Sequence, residues 1–147
     1  QLREQHFNKM TDLELRDIQI STFELGIESP YVMRAIVSYE KAFVTIDEVL
    51  ASDQTWLMQE DYSLAEIYLT PYLFRLDSLD LLDIWLEHRP KVRSWYEQIK
   101  IRPSFKEAIL DYIPEGYTDL MRAEGKKIKT QISKQYSEYF TNNVLIN

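Results

Sequence analysis

The sequence predicts an all-α protein, a helical bundle of about five to seven helices. Only three glycines and five prolines occur in 147 residues, whereas β-rich and α/β folds use both residue types at their many turns. Apolar residues recur at three- and four-residue spacing along most of the chain, which is the period of one helix face. No segment alternates as a β-strand would. The length is typical of one domain, so we expect residues 1–147 to form a single helical domain.

The first two helices are predicted from their end signals. One helical stretch covers roughly residues 2–25, with a restart at the capping-box pattern Thr11-x-x-Glu14 and a stop at Gly26. Ser29-Pro30 then supplies an N-cap and a first-turn proline for the second helix. The apolar stripe of this second helix consists of Val32, Ile36, Tyr39, Phe43, Ile46 and Leu50.

Residues 61–67, DYSLAEI, predict the start of a third helix. With Ser63 as N-cap, its hydroxyl accepts from the Glu66 N–H while the Glu66 carboxylate accepts from the Ser63 N–H, so that both donors are satisfied. Tyr62 and Ile67 then occupy the two positions of a hydrophobic staple. The following residues, LAEIYLTPYLFRL, are apolar nearly all round, which predicts a central helix covered on several sides and kinked at Pro71.

Prolines also mark the later helices. One begins near Pro90, a second begins at Pro103, and Pro114 ends the second. After Gly116 a last amphipathic helix runs to about Phe140, and we expect it to pack back on its own domain because its apolar stripe must be buried. That stripe consists of Tyr117, Leu120, Met121, Ile128, Ile132, Tyr136 and Tyr139.

Composition excludes several classes of function. The absence of cysteine excludes a Cys-ligated metal and a thiolate nucleophile, and neither of the two histidines has a ligand at helical metal-motif spacing. A net charge of −7 argues against nucleic acid. No apolar stretch approaches the ~20 residues that a membrane span needs, and the first residues lack a signal-peptide core. We therefore expect a cytoplasmic protein with no metal, no nucleic acid partner and no membrane contact.

The Gly125-Lys126 pair does not form a phosphate-binding loop. Leu120 stands where the earlier glycine of that motif belongs, and Ile128 stands where a magnesium-binding Ser or Thr belongs.

Three segments follow one another in the order Trp56-Leu57, DYSLAEIYLTPYLFRL and HRPKVRSWYEQIKIRPSFKEAI. Together they resemble the helical C-terminal domain of glutathione transferases over roughly residues 32–108. Ser63 and Glu66 stand at the positions of that family's Ser/Thr-x-x-Asp cap, with Glu66 longer than Asp by one methylene. The run Arg102-Pro103-Ser104-Phe105 matches a turn of the family. Residues 88–96 are similar to those of glutathione-dependent dehalogenases.

The resemblance implies a division of labour between two domains. In this family a thioredoxin-like N-terminal domain binds glutathione and activates its sulfur, and that domain is absent from this sequence. The helical domain contributes part of the pocket for an electrophilic, mostly apolar second substrate and much of the homodimer contact. The resemblance implies that Phe7, Met10, Tyr112 and Tyr117 border this pocket, although packing in the core is the alternative for each.

Two functions are therefore open. In the first, this chain is the helical half of a glutathione transferase-like enzyme that acts on small hydrophobic electrophiles by conjugation or dehalogenation. The chain alone then has no catalytic residue and binds no cofactor, and glutathione is the co-substrate of the parent protein. In the second, it is a non-catalytic protein-interaction or assembly module of the same fold. Because the first residue is Gln1, residues before it are expected to be missing, and the side that the missing domain covers should be an exposed apolar patch.

Overall fold

The computed structural model describes residues 7, 9–52 and 54–144, and side chains as far as residue 141. Over this part of the chain it contains α-helices, two 3-10 turns and no β-strand, with isolated bridges pairing Trp56 with Gln59 and Met58 with Asp61. The all-α prediction is therefore confirmed. None of the helices in these ranges combines the length and the apolar character that crossing a membrane requires.

The helices are named α1 to α7 in chain order. Their bounds are α1 Leu13–Leu25, α2 Pro30–Ala51, α3 Leu64–Ser78, α4 Asp83–Leu86, α5 Pro90–Lys100, α6 Pro103–Ala108 and α7 Tyr117–Val144. The 3-10 turns are Gly26–Glu28 and Leu110–Tyr112. A proline opens α2, α5 and α6, as predicted, because the fixed φ of proline suits the first turn and its missing N–H has no helical partner there.

Helix α1 begins where the sequence predicts a restart, but its cap is a different residue. Asp12 is the N-cap, and its carboxylate accepts a hydrogen bond from the Leu15 N–H at 3.0 Å. The prediction of Thr11 as the cap is wrong, because aspartate caps at least as well as threonine and its charge also interacts favourably with the helix N-terminus. Gly26 ends α1 with a φ of 58°. Most of the helical stretch predicted before residue 11 lies outside the described residues.

The chain divides into two compact units, residues 1–38 with 134–147, and residues 39–133. In the first unit, the hydroxyls of Ser21 and Ser29 share a hydrogen bond of 2.8 Å. The side-chain amide of Gln135 donates to the carbonyl of Ile27 at 3.1 Å. This bond joins α7 to the 3-10 turn that follows α1.

The core of the second unit lies between α2, α4 and α5. Arg89, just before α5, donates two hydrogen bonds to the Glu40 carboxylate of α2, at 3.1 and 2.5 Å, and one to the Trp85 carbonyl at 2.7 Å. Such a two-point pair is strong and directional. The buried apolar residues that these three helices contribute to this unit are Phe43, Ile46, Leu50, Trp85, Leu86, Val92, Trp95, Tyr96 and Ile99.

Helix α3 ends in a Schellman turn that α7 covers. The Leu81 N–H bonds to the Leu76 carbonyl at 2.9 Å, and Asp80 has the left-handed φ of 59° that this motif requires. The Asp80 carboxylate accepts from the Lys129 ammonium of α7 at 3.0 Å. One helical turn before Lys129, the buried Gly125 lies directly against the backbone of Leu79. The backbone of α7 therefore touches the end of α3.

The phenol of Tyr96 makes the stability of the second unit sensitive to alkali. Its side chain is 1% exposed, and its hydroxyl donates to the Asp77 carboxylate at 3.2 Å. Burial and the negative charge of Asp77 both raise the pKa of Tyr96. The unfolded chain ionises this phenol near the ordinary tyrosine pKa of about 10, so its contribution to stability is fully present below that pH and lost as the pH rises above it.

We expect the free energy of unfolding of Tyr96→Phe to decrease less with rising pH than that of the unsubstituted chain. Its stability at neutral pH should fall by about 1 kcal/mol, because the bond to Asp77 is lost. Urea unfolding at a series of pH values from neutral to strongly alkaline measures both effects, and Tyr112→Phe, at an exposed side chain, is the control. Equal pH dependence in Tyr96→Phe and the unsubstituted chain would contradict this account.

Candidate functional site

The start of α3 is held by one buried carboxylate. Glu66 is 0% exposed and accepts from the Ser63 N–H at 2.8 Å, the Ser63 hydroxyl at 2.7 Å and the Leu57 N–H at 2.6 Å. The predicted capping box is present, and within it the Ser63 hydroxyl also accepts from the Ala65 N–H at 3.1 Å. The bond to Leu57, which the motif does not predict, ties the preceding loop to the helix.

The negative charge of Glu66 helps to hold the start of α3. Burial acts to raise its pKa, but the hydrogen bonds from the Ser63 hydroxyl and from the Leu57 and Ser63 N–H groups outweigh burial, so that the pKa of Glu66 lies below its ordinary value. A carboxylate held ionised by these donors is a poor general acid. It anchors the helix that carries the candidate site.

Helix α3 presents an exposed apolar face, which we call the α3 face. Leu64 and Tyr68 are 80% and 70% exposed, and Ile67, Pro71 and Tyr72 are also exposed. These residues follow one another at three- and four-residue spacing, so they lie on one side of the helix. An exposed apolar patch of this kind is typical of an interaction surface.

The prediction that α3 is a central helix covered on several sides is wrong for this chain. The residues that it buries are Glu66, Thr70, Leu73 and Leu76, which lie away from the α3 face, and Ser78 at its C-terminal end. Apolar residues all round a helix leave its orientation undetermined by pattern alone, and in this structure only one side of α3 is covered. The helix continues through Pro71 as far as Ser78.

An apolar groove of about 460 Å³ lies along one edge of the α3 face. Ile67, Thr70 and Pro71 form its wall on α3. The opposite wall belongs to α6 and the residue after it, with Ser104, Phe105, Ala108 and Ile109. Its volume falls within the range of small-molecule pockets.

Arg102 and Tyr62 complete the groove. The guanidinium carbon of Arg102 lies 3.8 Å from the centroid of the Tyr62 ring and 5.5 Å from that of Trp56, and the two rings meet edge to face at 5.1 Å. This is cation–π geometry. Ile67, the other predicted staple residue, lines the same groove as Tyr62. The turn at residues 102–105 is predicted from the sequence, whereas the stacking of Arg102 on residues forty or more positions earlier has no local signal.

The four residues predicted to border a substrate pocket do not lie in this groove. Phe7 and Met10 belong to the first unit, where the Met10 N–H bonds to the Phe7 carbonyl at 3.2 Å. Tyr112 and Tyr117 belong to the second unit; Tyr112 is 79% exposed in a 3-10 turn and Tyr117 opens α7. Their role at a substrate pocket stays a prediction.

The candidate site offers surfaces for binding. In the ranges that the structure describes, no three His, Cys, Asp or Glu side chains are grouped to hold a metal ion. The α3 face can bury apolar surface against a partner, and the groove can hold an apolar group beside the guanidinium of Arg102.

Comparison with known proteins shows which proteins this part of the chain resembles. Over 77 residues the chain is 32% identical to a tetrachloro-P-hydroquinone reductive dehalogenase of Sphingobium chlorophenolicum, a match that covers 52% of this chain and 30% of that protein. The chain thus spans less than a third of that relative. No solved structure matches this chain significantly. Residues 30–98 match the family model of the glutathione S-transferase C-terminal domain. Residues 30–98, which include the α3 cap and the α3 face, are therefore similar to the helical C-terminal domain of glutathione S-transferases.

Proposed function

We propose that this chain is the helical half of a cytoplasmic, homodimeric glutathione transferase-like enzyme that conjugates glutathione to small hydrophobic electrophiles or dehalogenates them with glutathione. The α3 face carries the proposal, because helical domains of this family usually pair with a thioredoxin-like domain, and such a domain needs an apolar surface to cover. The similarity to a protein named as a reductive dehalogenase supports dehalogenation as one of the two reactions.

In this proposal the chemistry is divided between the two domains. The thioredoxin-like domain binds glutathione and activates its thiol, while it covers Leu64, Tyr68 and Tyr72 on the helical half. Covering such side chains stabilises the two-domain protein by about 25 cal/mol for each Å² of apolar surface removed from water. The helical half supplies one wall of the electrophile pocket, for which Phe7, Met10, Tyr112 and Tyr117 are the candidate residues.

Activity assays on the complete product of the gene, beside this chain alone, test the division of labour. With glutathione and either 1-chloro-2,4-dinitrobenzene or a chlorinated hydroquinone, we expect turnover by the complete protein and none by this chain. Turnover by this chain would contradict the proposal. A complete protein that contains no thioredoxin-like region, or that turns over neither class of electrophile, would favour the non-catalytic module.

A paired substitution tests the α3 face itself. Tyr68→Ala with Tyr72→Ala should lower the melting temperature of the complete protein by several degrees and leave this chain nearly unchanged, since both rings are exposed here. Leu120→Ala, at another exposed apolar residue, is the matched control and should change neither protein. Equal effects of the paired substitution on the complete protein and on this chain would exclude the α3 face as the interdomain surface.

A further inference from the structure

The groove beside α3 combines apolar walls with one cation. Among the described residues that line it, Arg102 is the only charged one. The face of the guanidinium rests on Tyr62, and its Nε is buried without a hydrogen-bond partner. In the described parts of the chain, no carboxylate forms a salt bridge with Arg102.

This arrangement leaves a positive charge uncompensated in an acidic protein. The other residues that line the groove are neutral, although the chain carries a net charge of −7. A half-buried guanidinium without a carboxylate partner retains donors for an anion, and Arg suits planar oxygen anions because its N–H groups are held in one plane. Ser104 adds a hydroxyl to the same groove.

The apolar walls define the rest of the ligand. Ile67 and Pro71 face Phe105 and Ala108 across a volume of about 460 Å³, which holds one or two aromatic rings but not a peptide helix. The ring of Phe105 already meets that of Phe74 edge to face at 5.8 Å, and aromatic ligands gain from similar contacts.

We infer that this groove binds a small aromatic monoanion, with its ring between α3 and α6 and its carboxylate or phenolate oxygen on the guanidinium of Arg102. The inference does not rest on the proposed function, although the groove shares Ile67 and Pro71 with the α3 face. The groove uses the edge of α3 that carries Ile67 and Pro71, whereas Tyr68 and Tyr72 do not line it.

Calorimetric titration of this chain with 1-naphthoate, and with the neutral amide of the same ring system, tests the inference. We expect saturable binding of the anion and binding of the amide at least about tenfold weaker, as for the loss of a charge-assisted hydrogen bond. Amide-resolved NMR should place the largest shifts at Ile67, Ala108 and Ile109. Absence of saturable naphthoate binding, or equal binding of the neutral amide, would overturn the inference.

Three variants separate the site from general charge effects. Arg102→Gln should weaken naphthoate binding about tenfold or more, and Ala108→Phe, which fills the groove and keeps the cation, should abolish it. Arg122→Gln removes one exposed positive charge of α7 and should change affinity less than about twofold. Melting curves report whether each variant is folded; because Ala108→Phe leaves Arg102 in place, unchanged binding by that folded variant would by itself exclude the groove.

Discussion

Replacing Gly125 by alanine is expected to destabilise the chain by about 3 kcal/mol or more. A Cβ atom at this position would lie 1.8 Å from the carbonyl oxygen of Leu79 and 2.6 Å from its carbonyl carbon. Both are backbone atoms of the Schellman turn that ends α3, so no side-chain rotation relieves the overlap. The two helices would have to separate, and the ion pair between Lys129 and Asp80 would be lost with their contact.

The sign of this effect makes the test sharp. In an ordinary helix interior, Gly→Ala stabilises by about 1 kcal/mol. If no other segment lay close to position 125, the substitution would therefore stabilise the chain. Chemical denaturation of Gly125→Ala beside Thr130→Ala, an exposed position of the same helix, measures the difference. The Thr130 control should stay within about 0.5 kcal/mol of the unsubstituted chain. A Gly125→Ala variant as stable as that control would show that α7 does not touch the α3 turn.

Replacing Glu66 by alanine is expected to destabilise the chain by about 3 kcal/mol. The substitution leaves the N–H groups of Leu57 and Ser63 without their acceptor at a buried helix start, and it also removes packed side-chain volume. Glu66→Asp should cost about 1 kcal/mol, because the shorter side chain can keep the cap bond to Ser63 but not the bond to Leu57. Glu107→Ala, at an exposed glutamate of α6, is the control.

Glu66 also predicts the direction of acid sensitivity. Its pKa is lower in the folded chain than its ordinary value, despite burial, because of the hydrogen bonds it accepts. Its contribution is therefore fully present above the ordinary glutamate pKa of about 4.3 and is lost as the pH falls through the lowered folded-state value. We expect Glu66→Gln to be less stable at neutral pH and to lose less stability on acidification. Parallel stability curves for Glu66→Gln and the unsubstituted chain below pH 5 would contradict this assignment.

The helix starts could be predicted because their signals are local. Pro30, Pro90 and Pro103 open helices through their own fixed backbone angle, and the capping box of Ser63 and Glu66 closes within four residues. The choice between Thr11 and Asp12 as the cap of α1 could not be predicted with equal certainty. Both residue types cap helices, and the local pattern alone does not separate neighbouring candidates.

Long-range contacts explain what the sequence analysis missed. From the sequence, Gly125 is interpreted as an ordinary helix residue or as part of a failed phosphate motif. In the structure it lies against the backbone of Leu79, at the end of α3. From the sequence, Arg102 is interpreted as part of a turn. In the structure its guanidinium stacks on Tyr62, forty residues earlier in the chain. Neither contact has a local pattern, because both partners come from distant segments.

The sequence by itself determined the all-helical class, the family resemblance and the cap of α3, since helical period and capping chemistry depend on residues a few positions apart. Only the tertiary structure decided which side of α3 is exposed, where the groove lies and why position 125 must be glycine. Each of these depends on which distant surfaces meet, and an apolar side chain has the same sequence signature whether it faces the core or a partner.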